Sequence, residues 1–128
     1  MSQNKKFPTS LKVLESRAII FLYINQKKPS GKAWARYDKY KTAHSITEAV
    51  DRGFTALDMQ YETKSNNRFK KFVTMCFIEG VNITKDTKDI LAVVIKKNKE
   101  TLKDLPKAIQ AKAQANIEKF EKLSAAIK

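Results

Sequence analysis

"AIIFLYI", Ala18 to Ile24, is the longest apolar run in the chain, and the way it is wound decides the fold. Upstream, Ser10 suits an N-cap, and Leu11, Leu14, Ala18, Phe21 and Leu22 follow at helical spacing. The β-branched and aromatic content of the run also suits a strand. The spacing favours a helix from Ser10 to about Ile24. At seven residues the run is far short of the ~20 needed to span a bilayer. Lys5, Lys6 and Lys12 precede it, as in a secretory signal. However, Glu15 and Arg17 interrupt the approach, and "NQKKP" follows with no small-residue cleavage site. The run is expected to be a buried element of a soluble, intracellular protein.

Working outward, Pro29 and Gly31 separate this segment from a second helix over Lys32–Thr42. "SITE", Ser45–Glu48, is a capping-box pattern opening a third helix that stops at Gly53. "TALD", Thr55–Asp58, has the related form and opens a fourth. Phe69, Phe72, Val73, Cys76 and Phe77 then fall on one helical stripe, with Arg68, Lys70, Lys71 and Thr74 off it and Gly80 as its C′ residue. Thr84 or Asp86 can cap a helix carrying Ile90, Leu91, Val94, Ile95 and Leu102. A last helix begins near Leu105, with Pro106 in its first turn and Ile109, Ala113, Ile117, Phe120, Leu123 and Ile127 on one side. Strict alternation is scarce, so the expected class is all-α. The expected architecture is a single compact domain over 1–128, with six to seven helices and a long C-terminal one. Its parts are a basic N-terminal third (1–44), a centre (45–80) and a helical C-terminal part (84–128).

The 128 residues are 42% hydrophobic and include seven Phe, which fits one folded domain rather than a disordered chain. Against 13 acidic residues stand 26 basic ones, for a net charge of +13, which favours a polyanionic partner. Residues 1–44 hold ten basic and two acidic residues, 45–83 five of each, and 84–128 eleven and six. The charge excess is therefore concentrated in the first third. The C-terminal lysines are interleaved with Glu and Asp, as on a solvated helix face.

No enzyme signature competes with this balance, and neither cofactor nor metal is expected. One cysteine rules out an internal disulfide, and one histidine with no Cys/His cluster offers no zinc set. Cys76 sits on an apolar stripe, where a thiol behaves as a small hydrophobe. His44 precedes a capping Ser and is expected in a loop. Asp38, Glu48, Asp51, Asp58 and Glu62 are accounted for by caps and i,i+4 pairs rather than a metal cluster.

"SGKAWARYDKYK", Ser30–Lys41, interleaves cations with rings. Wound at about 100° per residue, Arg36 and Lys39 fall roughly 40° and 20° to either side of Lys32, whereas Trp34, Tyr37 and Tyr40 lie at about 200°, 140° and 80°. Rings and cations therefore occupy different faces. The rings are expected to anchor the helix, with the Tyr hydroxyls at the core's rim, and the cations to face phosphates.

Segment 46–62, "ITEAVDRGFTALDMQYE", resembles the helix-turn-helix family of DNA-binding motifs. Ala49, Gly53 and Met59 match the family's small residue, turn glycine and later apolar residue. The resemblance implies a tri-helical DNA-contacting unit. The second helix carries two acids and no Lys or Arg, so phosphate contacts fall to its neighbours. Those are Lys27, Lys28, Lys32, Arg36, Lys39 and Lys41 before it, and Lys64, Arg68, Lys70 and Lys71 after it. The expected protein is a small nucleic-acid binder with modest sequence preference, DNA ahead of RNA, and a membrane is not an expected partner. The alternative is a structural or assembly protein of a virion, nucleoid or ribonucleoprotein particle, docking or self-associating through its C-terminal helix.

Overall fold

A computed structural model describes residues 9–23, 25, 29–63 and 74–127. Among these residues, five α-helices accompany a two-stranded antiparallel sheet, so the chain is mostly helical but not all-α. The strands are β1 (Ile19–Phe21) and β2 (Cys76–Ile78), with Ile19 opposite Ile78, Ile20 opposite Phe77 and Phe21 opposite Cys76. Between them run α1 (Lys32–Tyr40), α2 (Ile46–Asp51) and α3 (Ala56–Glu62). After β2 come α4 (Lys88–Thr101) and α5 (Lys107–Ala125).

The sheet is a partition between two cores. Ile19, Phe21, Cys76 and Ile78 pack on Tyr37, Tyr40, Ile46, Ala49 and Phe54 from the α1–α3 side. Ala18, Ile20, Leu22 and Phe77 face the other way, onto Leu91, Val94, Ile95, Ile117 and Phe120 of α4 and α5. Strand side chains alternate between faces, and here each face meets its own helical layer.

This arrangement corrects the expected helix from Ser10 to Ile24. Thr9–Leu14 is a 3-10 segment, and the chain turns with the Arg17 N–H on the Leu14 carbonyl at 2.8 Å. It then enters β1, while Ile24 lies outside the described residues. The strand does not alternate in sequence because both of its faces are buried, which turns a period of two into a continuous apolar run. The expected helical stripe ending at Phe77 is corrected likewise. Cys76 and Phe77 lie in β2 and point to opposite cores, and Phe69, Phe72 and Val73 lie outside the described residues. Gly80 therefore closes a turn after a strand. Its φ is +76°, the Val81 N–H reaches the Ile78 carbonyl at 3.0 Å, and an added Cβ would collide with the Arg17 guanidinium.

So short a sheet leaves exposed edges, which side chains satisfy here. On β1, the Asn116 amide donates to the Ile19 carbonyl at 2.9 Å and the Asn98 amide to the Phe21 carbonyl at 2.7 Å. The Ile19 N–H reaches the His44 carbonyl at 3.1 Å. On β2, Asn82 accepts from the Ile78 N–H at 2.8 Å and donates to the Cys76 carbonyl at 2.9 Å. Backbone groups that a third strand would have paired are thus closed off.

The C-terminal hairpin uses its apolar side internally. Ile117 and Phe120 are buried against α4 and the sheet, Leu123 is partly buried there, and Lys99 pairs with Glu121 across the hairpin. Among the described residues, no helix is long and apolar enough to cross a membrane.

Candidate nucleic-acid interface

The interface begins with α1. Gly31 is its N-cap, and the Lys41 N–H closes its last turn on the Tyr37 carbonyl at 2.9 Å. Tyr37 and Tyr40 are fully buried and Trp34 is half-buried, so the ring face is the anchored face. The hydroxyls do not reach a rim. The Tyr37 O–H donates across the core to the Leu22 carbonyl at 2.6 Å, with the Met75 carbonyl at 3.3 Å. The Tyr40 hydroxyl is enclosed with no hydrogen-bond partner among the described residues. Burial, with the nearby Glu62 charge adding to it, pushes both phenols well above the usual tyrosine range. Phe21, Tyr40 and Phe54 form a mutual cluster with centroids 5.1 to 5.5 Å apart.

The opposite face of α1 carries Lys32, Arg36 and Lys39, whereas Lys41, its C-cap, falls on the ring side, and the four differ in their engagement. Lys32 and Lys39 are exposed and have no ion-pair partner among the described residues. Lys41 is half-buried, paired with Asp38 at 3.0 Å, and sits 4.3 Å from the Tyr23 ring centroid. Arg36 is held by α3, its Nη2 donating to Asp58 Oδ1 at 2.8 Å. That contact raises the guanidinium pKa above its already high ordinary value. Lys27, Lys28, Lys64, Arg68, Lys70 and Lys71 lie outside the described residues.

Downstream, α2 and α3 start on the two expected capping patterns. Ser45 Oγ accepts from the Glu48 N–H at 3.1 Å, but the Glu48 carboxylate bonds the His44 N–H at 3.1 Å instead of the N-cap's own. The second pattern closes fully, with the Asp58 N–H on Thr55 Oγ1 at 3.1 Å and the Thr55 N–H on Asp58 Oδ2 at 3.0 Å. Between the helices, Gly53 has φ +109°, and the Phe54 N–H returns to the Ala49 carbonyl at 2.9 Å. Ala49 is fully buried where α2 meets the core, and Met59 packs partly against it.

The acids of α3 therefore do not face outward. Asp58 is 6% exposed and Glu62 is 2% exposed, while Leu57 and Tyr61 are each 61% exposed, with Gln60 also at the surface. A helix whose sequence is net negative thus presents a neutral outer face. Burial takes both carboxylates off that face, and Arg36 pairs with Asp58, but the helix still offers no Lys or Arg to a phosphate. Sequence reasoning missed Leu57 and Tyr61, although their i,i+4 spacing on the face beside Asp58 and Glu62 was a usable signal. It also missed Asp58 as the partner of Arg36.

Elsewhere, four of the eleven described lysines are locally compensated, including Lys12 by Glu15 at 3.7 Å. Lys97 pairs with Glu100 at 3.6 Å and Lys119 with Glu79 at 3.2 Å. Of the acids weighed as a metal cluster, Asp58 is taken by Arg36, Asp38 by Lys41, and Glu48 by His44 and Arg52. Cys76 is buried in β2. Compared with known proteins, the chain matches no family model, no curated protein and no solved structure.

Proposed function

We propose that this chain is a small nucleic-acid-binding protein that holds its ligand mainly through phosphate contacts, with DNA preferred to RNA. The observation that carries this is the α1 face, where exposed Lys32 and Lys39, without an ion-pair partner among the described residues, flank an Arg36 locked onto α3. The rings behind this row are buried, so the cations stand on a rigid helix instead of a mobile loop. The α2–α3 pair, with its resemblance to helix-turn-helix motifs, is the second half of the same surface. A net charge of +13 supplies the long-range attraction, and on this face Lys32 and Lys39 carry it while Arg36 is paired with Asp58.

The test is a gel-shift series from low to moderate salt. Binding weakens steeply with salt, and replacing Lys32 and Lys39 by Ala lowers the log–log slope by ~1.8 on duplex DNA, or ~1.4 on a single strand. Absence of binding to duplex and single strands at low salt would end this reading.

A further inference from the structure

We infer that the outer face of α3, built from Leu57, Gln60 and Tyr61, is a base-contacting platform for single-stranded nucleic acid. This inference rests on the phosphate-binding role of the α1 row and names the form of nucleic acid that the joined surface accepts.

Exposure supplies the first observation. Among the described residues, four large apolar side chains are exposed, and two of them, Leu57 and Tyr61, stand one turn apart on this short helix. The phenol ring and the leucine form one apolar strip, with Gln60 beside it as a donor and acceptor. A ring of this kind stacks on any base, and a neighbouring apolar side chain extends the platform.

Placement supplies the second. Asp58 and Tyr61 are three residues apart on α3, hence neighbours on its surface, and Asp58 holds the Arg36 guanidinium at 2.8 Å. The ring of Tyr61 is therefore about one side chain from the middle of the Lys32–Arg36–Lys39 row. A strand whose phosphates follow that row has its bases within reach of α3, and the acid between them, Asp58, is buried and paired with Arg36 while Glu62 is buried. Charge and platform are complementary to a backbone with unstacked bases.

The geometry suits a duplex groove less well. α3 has seven residues, so it is only ~10 Å long, and it carries no cation. Its outer face offers Gln60 and the Tyr61 hydroxyl as hydrogen-bonding groups and no Lys, Arg or Asn, whereas an inserted helix usually reads base edges with several such side chains. Stacking on an exposed ring requires a base that has left its own stack, which a single strand supplies without melting.

The experiment is fluorescence anisotropy on the full chain, with labelled single-stranded DNA, RNA of the same sequence, and the corresponding DNA duplex, across a salt series. The wild type binds the single strands more tightly than the duplex. Tyr61→Ala weakens single-strand binding by about tenfold or more with its salt slope unchanged, and Tyr61→Phe, which keeps the ring, retains it. Tyr61 is exposed, so its truncation leaves the core packing in place, and far-UV circular dichroism checks this. If Tyr61→Ala binds within about twofold of the wild type while Lys32→Ala/Lys39→Ala flattens the slope, the platform is wrong and phosphate binding stands; the α3 face is then left for a protein partner. Tighter binding to the duplex than to either strand also overturns the platform. If the wild type binds none of the three at low salt, the phosphate-binding reading itself fails.

Discussion

Asp58 joins two jobs that are usually separate, and removing it tests both. Its Oδ2 accepts from the Thr55 N–H and the Thr55 hydroxyl, each at 3.0 Å, and its Oδ1 accepts from Arg36 at 2.8 Å. In Asp58→Ala the residue-58 N–H still finds Thr55 Oγ1, so only half of the capping box is lost, about 0.5–1 kcal/mol. The lost hydrogen bond that the Thr55 hydroxyl donates to the buried carboxylate adds about 1 kcal/mol. Arg36 is 47% exposed at its side chain and recovers water, so the ion pair contributes no more than ~0.5–1 kcal/mol. The sum is about 2–3 kcal/mol, measured by urea unfolding followed at 222 nm with an unchanged m-value. Arg36→Ala costs about 1 kcal/mol, and the double mutant shows a coupling of ~0.5–1 kcal/mol. Since Arg36 is engaged by Asp58, Arg36→Ala lowers the salt slope of nucleic-acid binding by less than the ~0.9 expected of a free cation. The reasoning is refuted if Asp58→Ala lies within ~0.5 kcal/mol of the wild type, or if the two single effects simply add.

Three further outcomes follow from the same structure. Asn116→Ala leaves the buried Ile19 carbonyl without its donor and destabilises by ~1–3 kcal/mol in denaturant titration; a neutral effect would mean that the β1 edge is satisfied otherwise. Gly53→Ala costs more than Gly80→Ala, because φ +109° lies well outside the left-handed region that an L residue can enter whereas +76° lies near its edge. The Arg17 guanidinium that an added Cβ at residue 80 would meet can swing aside; equal Tm values would contradict this. His44 carries the pH dependence. Its Nε2 is enclosed without a partner among the described residues, and burial holds its pKa below the ordinary value, with Glu48 opposing and Arg52 and Lys112 assisting. The unfolded chain therefore takes up the proton first. Stability is full above about pH 6.5 and falls as the pH drops from there to the lower folded pKa. His44→Gln flattens the decline in that window, and an unchanged decline would assign it to other groups.

Local chemistry was legible in the sequence. Ser45 and Thr55 announce helix starts because their short oxygens meet backbone N–H groups two or three residues away, and both caps form. The angular separation of Lys32 and Lys39 from Tyr37 and Tyr40 depends only on helical pitch, and the rings are buried while the lysines are exposed. What local pattern could not reveal was a strand with two covered faces. "AIIFLYI" offers the same composition to a buried helix and to a two-sided strand, and the choice depends on Phe77, Cys76 and Asn116 arriving from far along the chain.

The interface divides in the same way. The net charge and the cation row of α1 belong to the sequence by itself, since they require no more than one helix and its pitch. Which charges remain available was decided by tertiary contacts. Arg36 is drawn onto α3, Lys41 onto Asp38, and both acids of α3 are turned inward, leaving Tyr61 and Leu57 outside. A sequence counts charges, but burial and pairing depend on which helices meet, and that meeting is set by the two cores on either side of the sheet.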